Sequence, residues 1–288
     1  RNTCQFFMPQ MHERAMARLR LEARLRGALE RREFLLHYQP KAELRSGRIS
    51  GMEALLRWQP AGQPLVSPAD FIPILEDTGL IIPVGEWVVA EVCAQIRRWQ
   101  ADGIEPPPIA INLSARQFRQ KQLAEVLGEL IKASGVEPGR LEFELTESML
   151  MDDSKAAVQA LGDLKSRGIR LSVDDFGTGY SSLAYLKRFA VDALKIDRAF
   201  IRDITTDQDD ATIALAVINL AHSLGLKVIA EGVETREQLD FLHRHGCDEI
   251  QGYYFARPLP IDQITRALRE GWRLARAADQ VDQADLGA

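Results

Sequence analysis

Short β-rich runs alternate along the chain with longer runs that have the periodicity of helices. Helical patterns separate most of the β-rich runs, as in 86–101 and in 208–224, where apolar residues recur at i, i+4, i+7 and i+11. The predicted strands are residues 34–39, 48–58, 108–113, 141–145, 169–174, 192–197, 227–231 and 249–254. Eight strands with intervening helices in about 250 residues predict an α/β fold, a TIM-like (β/α)₈ barrel.

The first connection departs from this alternation. Only the segment PKAELRSGR separates Gln39 from Ile49, which is too short for a crossover helix, and Ser46-Gly47 is a turn signal. Strands one and two are therefore predicted to form an antiparallel hairpin. The barrel is expected to carry one reversed strand.

Composition and charge disfavour several classes of protein. Hydrophobic residues make up 46% and charged residues 27%, as in ordinary folded proteins. The net charge of -5 argues against a broad basic surface for long nucleic acid, so DNA is not an expected partner. The sequence has neither a signal peptide nor an apolar stretch long enough to span a bilayer. This domain is therefore expected to make no direct membrane contact.

The cysteines and histidines limit the metal chemistry. Cys4, Cys93 and Cys247 are odd in number and lack C-x-x-C spacing. This pattern disfavours a disulfide framework or a structural zinc site and fits a reducing compartment, so a cytoplasmic location is expected. The few histidines are not clustered as a zinc hydrolase would need. Any metal should be held mainly by oxygen ligands, which favours magnesium or manganese.

Polar residues recur where the predicted parallel strands end. Barrel enzymes carry their chemistry at these carboxyl ends. On the hairpin strand, Glu53 and Arg57 are an even number of residues apart, so both can face the same side. The strand-end residues are Asn112, Glu144, Asp174, Asp175, Lys195, Asp197, Glu231 and Gln251.

Each of these residues alone has an ordinary explanation as a helix cap or a solvated loop residue. Asn112 is compatible with an Asx-turn, and Lys195 with an aliphatic stem lying along apolar surface. Their coincidence at nearly every strand end favours a shared site, because the converging carboxylates repel one another. Two divalent cations that share Asp174 would neutralise them, and such a pair acts in phosphate-ester hydrolysis. The glycines after Asp175 would let the next loop bend close to the site.

Ordered motifs over roughly residues 30–275 resemble the EAL domain family, whose members are phosphodiesterases specific for cyclic di-GMP. The family fold is a TIM-like barrel with an antiparallel strand, in agreement with the hairpin. The motifs are YQPK (38–41), MEALLRW (52–58), INLSARQF (111–118), ELTES (144–148), VDDFGTGYSSL (173–183), LKID (194–197), AEGVE (230–234) and QGYYFARPL (251–259).

The resemblance implies two metal ions per active site, Mg²⁺ or Mn²⁺. The ligands of the first ion would be Glu53, Asn112, Glu144 and Asp174. The ligands of the second would be Asp174, Asp175 and Glu231. The two ions would activate water for hydrolysis of cyclic di-GMP to linear 5′-pGpG, a step in bacterial second-messenger signalling.

The resemblance also implies roles for residues that do not bind metal. Lys195, assisted by Asp197, would contact the attacking water or a phosphate oxygen, and both count with Glu53 and Glu231 as catalytic. Arg57 would bind phosphate through its planar fork. The remaining roles are substrate binding by Gln39 and Gln251, the latter to a guanine, and stabilisation of the loop 175–183 by Glu147.

The chain is expected to divide into three parts. Residues 1–30 would be a remnant of an upstream domain and a linker helix over 10–32, because RNTCQFF resembles the end of a GGDEF-type diguanylate cyclase domain. Residues 31–275 would form the barrel, and 276–288 a flexible tail. The upstream domain would belong to the same parent chain, and anchoring of that parent to the inner membrane is left open.

A homodimer is a further expectation from the resemblance. Two barrels would pair through residues 181–190, which include Tyr185, Leu186 and Phe189, although an ordinary contact between helix and barrel explains the apolar spacing equally well. Two other functions stay open: a receptor that binds cyclic di-GMP without hydrolysis, and a scaffold that passes on a conformational signal. A receptor does not need the full set of carboxylates and Lys195, and a scaffold needs none of the metal-binding acids.

Overall fold

Eight strands close into one barrel in the computed structural model, which describes residues 9–150, 155–177, 186 and 189–274. The strands are β1 (Phe34–Glu43), β2 (Ile49–Trp58), β3 (Ile109–Asn112), β4 (Leu141–Thr146), β5 (Arg170–Phe176), β6 (Ala193–Ile196), β7 (Lys227–Glu231) and β8 (Glu249–Gln251). They follow one another around the barrel in chain order. The predicted TIM-like architecture is confirmed.

Helices cover the outside of the barrel. The described helices are α1 (Pro9–Leu25), α2 (Pro68–Thr78), α3 (Ile81–Ala101), α4 (Ala115–Phe118), α5 (Leu123–Ser134), α6 (Glu147–Leu150), α7 (Lys155–Ser166), α8 (Arg198–Arg202), α9 (Gln208–Ser223), α10 (Arg236–Arg244) and α11 (Ile261–Glu270), with a 3₁₀ turn at Pro138–Arg140. Their apolar faces pack on the outward side chains of the strands. In α3, for example, Val88, Val92, Ile96 and Trp99 are buried.

The reversed strand is β1, which pairs antiparallel with both β2 and β8. All other neighbours are parallel. Gln39 lies opposite Glu53 in the hairpin, so both side chains belong to the same level of the barrel. The predicted antiparallel hairpin is therefore confirmed.

Several element ends differ from the sequence-based expectation; β1, for example, runs to Glu43 rather than to residue 39. The linker helix was expected over 10–32, but α1 ends at Leu25, and turns follow up to Arg32, whose φ is 56°. The eighth strand was expected to reach residue 254, but it stops at Gln251 because Gly252 begins a turn in which the amide of Phe255 donates to the Gly252 carbonyl. The GGDEF-like segment 1–7 and the tail 276–288 lie outside the described residues.

None of the described helices is by itself long and apolar enough to cross a membrane. Together, α2 and α3 have the length and apolar composition of a membrane span, but the two helices meet at a bend of 117°. Among the described residues, Cys93 and Cys247 are buried free thiols.

Candidate active site

The carboxyl ends of the parallel strands bring the predicted residues to one mouth of the barrel. Glu53, Glu144, Lys195 and Gln251 are buried there, on four different strands. The alternation of side chains along each strand turns these residues inward, while their neighbours in sequence pack outward against the helices.

The buried ammonium of Lys195 is the centre of the cluster. Its Nζ lies 2.5 Å from Glu231 Oε1, 2.6 Å from Glu144 Oε2, 3.3 Å from Asp174 Oδ1 and 3.9 Å from Glu53 Oε2. Four carboxylates therefore surround a single cation whose side chain has no measurable solvent exposure. The carboxyl groups outnumber the cations near them, so the cluster favours the binding of further cations or of protons.

Amide side chains hold Glu53 from the other side. Asn112 Nδ2 donates to Glu53 Oε1 at 2.5 Å, and Gln251 Nε2 donates to Glu53 Oε2 at 2.5 Å. Gln251 Nε2 also lies 3.1 Å from Gln39 Oε1, and Gln39 in turn donates to the carbonyl of Ala256. The carboxylate of Glu53 is thus fixed, but Gln251 Oε1 is buried without a hydrogen-bond partner. A buried orphan acceptor of this kind fits a site that takes a ligand.

Gln251 owes its place to the residue that follows it. A Cβ on Gly252 would come within 2.1 Å of the Val233 carbonyl oxygen and 2.3 Å of the Val233 nitrogen. The amide of Val233 donates to the Gln251 carbonyl, which ties the end of β8 to the loop after β7. Only glycine permits this close approach of two backbones.

The adjacent acids Asp174 and Asp175 lie at an irregularity in the pairing of β5 with β6, between Val173 and Phe176. Asp175 has a φ of 54°, a left-handed conformation that aspartate adopts more readily than most residues. Its amide donates to Asp174 Oδ1 at 2.9 Å. The irregular backbone turns both carboxyl groups towards the mouth, where Asp174, Asp175 and Glu231 each offer an oxygen within 4.8 Å of the others.

Asp197 closes this side of the cluster. Its Oδ1 accepts a hydrogen bond from the amide of Ala199 at 2.7 Å and so caps helix α8. A hydrogen bond between the side chains of Asp175 and Asp197 also contributes to the raised pKa of Asp175. Asp197 therefore positions Asp175, a link that its place at the end of β6 did not reveal.

The electrostatics of the cluster follow from burial and mutual repulsion. Burial, opposed by Lys195 and reinforced by Asp174, raises the pKa of Glu231 to about 8. Burial and the neighbouring Asp174 raise the pKa of Asp175 to about 6. The pKa of Lys195 is raised well above its ordinary value, because the surrounding carboxylates outweigh its burial. Lys195 is therefore a cation and a hydrogen-bond donor at neutral pH.

Glu144 has a different environment from the other acids. Its Oε1 lies 2.7 Å from the ammonium of Lys41 and its Oε2 lies 2.6 Å from that of Lys195. These two cations overcome the effect of burial and lower the pKa of Glu144 to about 2. Lys41 has no role in the sequence-based prediction, although it ends the YQPK motif, because the first strand was expected to end at residue 39 and in fact runs to Glu43.

A cavity of about 590 Å³ opens beside the acidic cluster. Gln39, Arg57, Asn112 and Tyr253 are among the residues that line it. Arg57 is half-buried and donates through Nη1 to the carbonyl of Leu56 at 2.9 Å. Burial lowers the pKa of Arg57, partly offset by Glu53. The predicted substrate-binding residues Gln39 and Arg57 thus lie on one cavity next to the acids.

Two further predictions concern the loop that follows β5. Glu147 is buried, and its Oε2 accepts a hydrogen bond from the amide of Gly177 at 3.0 Å, at the first residue of that loop. Residues 178–185 lie outside the described residues, as does Tyr185 of the predicted dimer contact. Leu186 and Phe189 of the same contact are buried within this chain. The homodimer stays a prediction.

Comparison with known proteins agrees with this geometry. A family model described as "EAL domain" matches residues 22–258. The bifunctional diguanylate cyclase/cyclic di-GMP phosphodiesterase MucR of Pseudomonas aeruginosa is 46% identical over 264 residues, which cover 92% of this chain and 38% of that protein. The cyclic di-GMP phosphodiesterase NbdA of the same organism is 42% identical over 269 residues, covering 93% of this chain and 34% of that protein. The chain thus spans less than two fifths of these relatives.

The fold also matches solved structures. The structure of the PaMucR phosphodiesterase in complex with c-di-GMP superposes with a TM-score of 0.82 at 46% identity. The match covers 85% of this chain and 99% of that one. The likeness therefore extends over the whole barrel.

Proposed function

Because this chain belongs to the EAL domain family, we propose that it is a phosphodiesterase that hydrolyses cyclic di-GMP to linear 5′-pGpG. Relatives over nearly the whole chain carry the name cyclic di-GMP phosphodiesterase, and one similar structure holds c-di-GMP. The observation that carries the proposal is the ring of four carboxylates around Lys195 at the mouth of the barrel. A protein that only binds the dinucleotide does not need such a concentration of acid.

The donor set fits divalent cations, and we assign Mg²⁺ or Mn²⁺, two per site. All candidate ligand atoms are carboxylate or amide oxygens, which hard cations prefer. The first ion would be held by Glu53, Asn112, Glu144 and Asp174, and the second by Asp174, Asp175 and Glu231. Bound divalent cations lower the pKa of water and stabilise charge on phosphate oxygens.

The cavity beside the cluster would receive the dinucleotide. Arg57 would bind a phosphate through two guanidinium N–H groups once it leaves the Leu56 carbonyl. Gln251, whose Oε1 lacks a partner, would accept a hydrogen bond from a guanine, and Gln39 would support it from 3.1 Å away. The scissile phosphate would then lie between Arg57 and the carboxylates.

Lys195 would act as a donor rather than as a base. Its ammonium keeps its proton because four carboxylates face it, so it would donate to a phosphate oxygen or to the oxygen of the attacking water. The proton leaving the water would pass to solvent, because bound divalent cations would lower the pKa of that water. The new P–O bond forms as the bond to the 3′-oxygen breaks, which yields the linear dinucleotide.

The chain spans only part of the length of its relatives, so a longer parent protein is also proposed. We propose that residues 31–275 form the catalytic domain and that residues 1–30 link it to an upstream GGDEF-type domain. The same parent would be cytoplasmic in this part and would form a homodimer. A tandem cyclase domain is consistent with the bifunctional name of MucR.

The test is incubation of the purified protein with cyclic di-GMP and Mg²⁺ or Mn²⁺, beside an EDTA control, with products separated by chromatography. Metal-dependent appearance of pGpG is the expected result. Tight binding of intact cyclic di-GMP without product would instead identify a receptor. If the folded protein neither binds nor hydrolyses cyclic di-GMP, the proposal is contradicted and a scaffold is favoured.

A further inference from the structure

Lys41 is a buried cation that the proposed chemistry does not use. Its side chain is 3% exposed, and it is absent from the lining of the cavity that contains Arg57. Its Nζ lies 2.7 Å from Glu144 Oε1 and 3.2 Å from Glu142 Oε1. Burial of a lysine is costly unless it is paired, so these two acids determine where the ammonium lies.

The reversed strand places Lys41 directly beneath the acidic cluster. Gln39 and Lys41 are two residues apart on β1 and share its inner face, with Gln39 at the level of Glu53 and Lys41 one level lower. On β5, the fully buried Ser172 donates from Oγ to Glu142 Oε1 at 2.9 Å. The ammonium is therefore held between an upper carboxylate and a lower one that is itself fixed.

The contacts of Glu144 determine which of its oxygens can reach a metal ion. Oε1 points down to Lys41, whereas Oε2 points to Lys195 and the other acids of the mouth. If the ammonium of Lys195 turns to the substrate, Glu144 Oε2 loses this hydrogen bond and is free on the side of the other acids. Glu144 Oε1 stays bound to Lys41. A carboxylate held in this way has one oxygen in a fixed position for an ion.

We propose that Lys41 is a positioning residue, which holds Glu144 Oε1 so that Oε2 faces the first metal ion. This inference rests on the proposed function, since it needs Glu144 to be a metal ligand. The competing explanation is structural: Lys41 would only neutralise Glu142 and Glu144 and would have no influence on metal binding.

Direct titration of Mn²⁺ by calorimetry separates the two explanations. The proteins are the wild type, Lys41→Met and the double variant Lys41→Met/Glu142→Gln, which also removes the lower charge. Lys227→Met is the matched control, because Lys227 pairs with Glu249 at 2.9 Å at the same end of the barrel and does not touch Glu144. We expect Mn²⁺ to bind roughly 10–100-fold more weakly in both Lys41 variants and unchanged in Lys227→Met.

A kinetic readout supports the titration. At saturating Mn²⁺, the KM for cyclic di-GMP should be the same in Lys41→Met and in the wild type, because Lys41 does not line the substrate cavity. The Mn²⁺ concentration for half-maximal activity should rise. A structural role alone would lower the amount of folded protein without changing the metal constant of the folded fraction.

Several results would overturn the inference. These are Mn²⁺ binding in Lys41→Met that equals or exceeds the wild type, recovery of wild-type affinity in the double variant, or loss of the fold in both variants by circular dichroism. If the wild type binds Mn²⁺ and hydrolyses cyclic di-GMP while Lys41→Met does both equally well, only this inference fails. A folded wild type that does neither would remove the proposed function and this inference with it.

Discussion

The two ends of the barrel differ in how their charged side chains are paired. At the end where the parallel strands begin, single cations pair with single acids: the largely exposed Lys227 pairs with Glu249 at 2.9 Å, and the half-buried Lys165 pairs with Asp192 at 2.7 Å. At the mouth, four carboxyl groups surround the ammonium of Lys195, and one of them, Glu144, also pairs with Lys41. Matched charges at one end support the fold, whereas the excess of acids at the other end carries a cost that bound protons or a bound cation can offset.

The largest effect is expected when an acid is removed from the mouth. Glu53→Ala should lower hydrolysis of cyclic di-GMP by roughly 10³-fold or more, since it deletes a ligand worth several kcal/mol to the transition state. Product chromatography at saturating Mn²⁺ measures the loss. Glu43→Ala, on the same hairpin but at the opposite end, is the control; equal losses in the two variants would show that the position of the acid does not matter.

Removal of the shared cation, Lys195, should lower the stability of the metal-free protein. Lys195→Met removes the ammonium that faces Glu231, Asp174 and Glu53, and one of the two that face Glu144, so the metal-free protein should lose about 3–5 kcal/mol of its free energy of unfolding. Urea denaturation in EDTA measures this loss. Added Mn²⁺ should restore part of the stability, and a variant as stable as the wild type in EDTA would contradict the description of the mouth as unbalanced.

Glu147→Ala tests the support of the loop after β5. The variant loses the acceptor for the Gly177 amide, 3.0 Å away, so kcat should fall about tenfold with little change in stability. Steady-state kinetics gives the value. Glu137→Ala, which removes an exposed glutamate, is the control and should have wild-type kinetics.

The pH dependence of stability should differ with and without metal. Carboxyl groups with a raised pKa stabilise the fold below their unfolded pKa and lose that contribution as pH rises through the folded value. The pKa values of about 6 for Asp175 and about 8 for Glu231 therefore predict a Tm in EDTA that falls between about pH 5 and about pH 8. Mn²⁺ should raise Tm more at high pH, because its ligands must be deprotonated. A Tm in EDTA that rises over this range would contradict the raised pKa values.

The smallest effect is expected at the paired end. Lys227→Met removes a largely exposed lysine but takes this partner from the buried carboxylate of Glu249, so it should cost about 1–3 kcal/mol. The same urea denaturation measures it. A loss as large as that of Lys195→Met would mean that the two ends of the barrel do not differ in the way described.

Much of the fold was predictable because local signals agree with the architecture. The short connection after Gln39 predicted the hairpin, and the alternation of strands and helices predicted the barrel. The candidate acids were found by their places at strand ends, which requires only parallel strands. The place where α1 ends was missed, because tertiary packing and the turns after Leu25 determine it rather than helix propensity.

The sequence did not reveal the layer beneath the mouth. Lys41 meets Glu144 only because β1 pairs with both β2 and β8, so its contacts depend on the closure of the barrel. The link between Asp175 and Asp197 likewise depends on the irregular pairing of β5 with β6 and on the positive φ of Asp175. Periodicity identifies which face a side chain takes, but not which side chain it meets across a closed sheet.

Anomalous diffraction from a crystal grown with Mn²⁺ is the most direct test of the difference between the two ends. We expect two manganese peaks at the mouth. One should lie among Glu53, Asn112, Glu144 and Asp174, and the other among Asp174, Asp175 and Glu231. We expect no peak at the end where Lys227 pairs with Glu249. A mouth without manganese, or manganese bound only at the paired end, would contradict the claim that the unbalanced acids form a site for divalent cations.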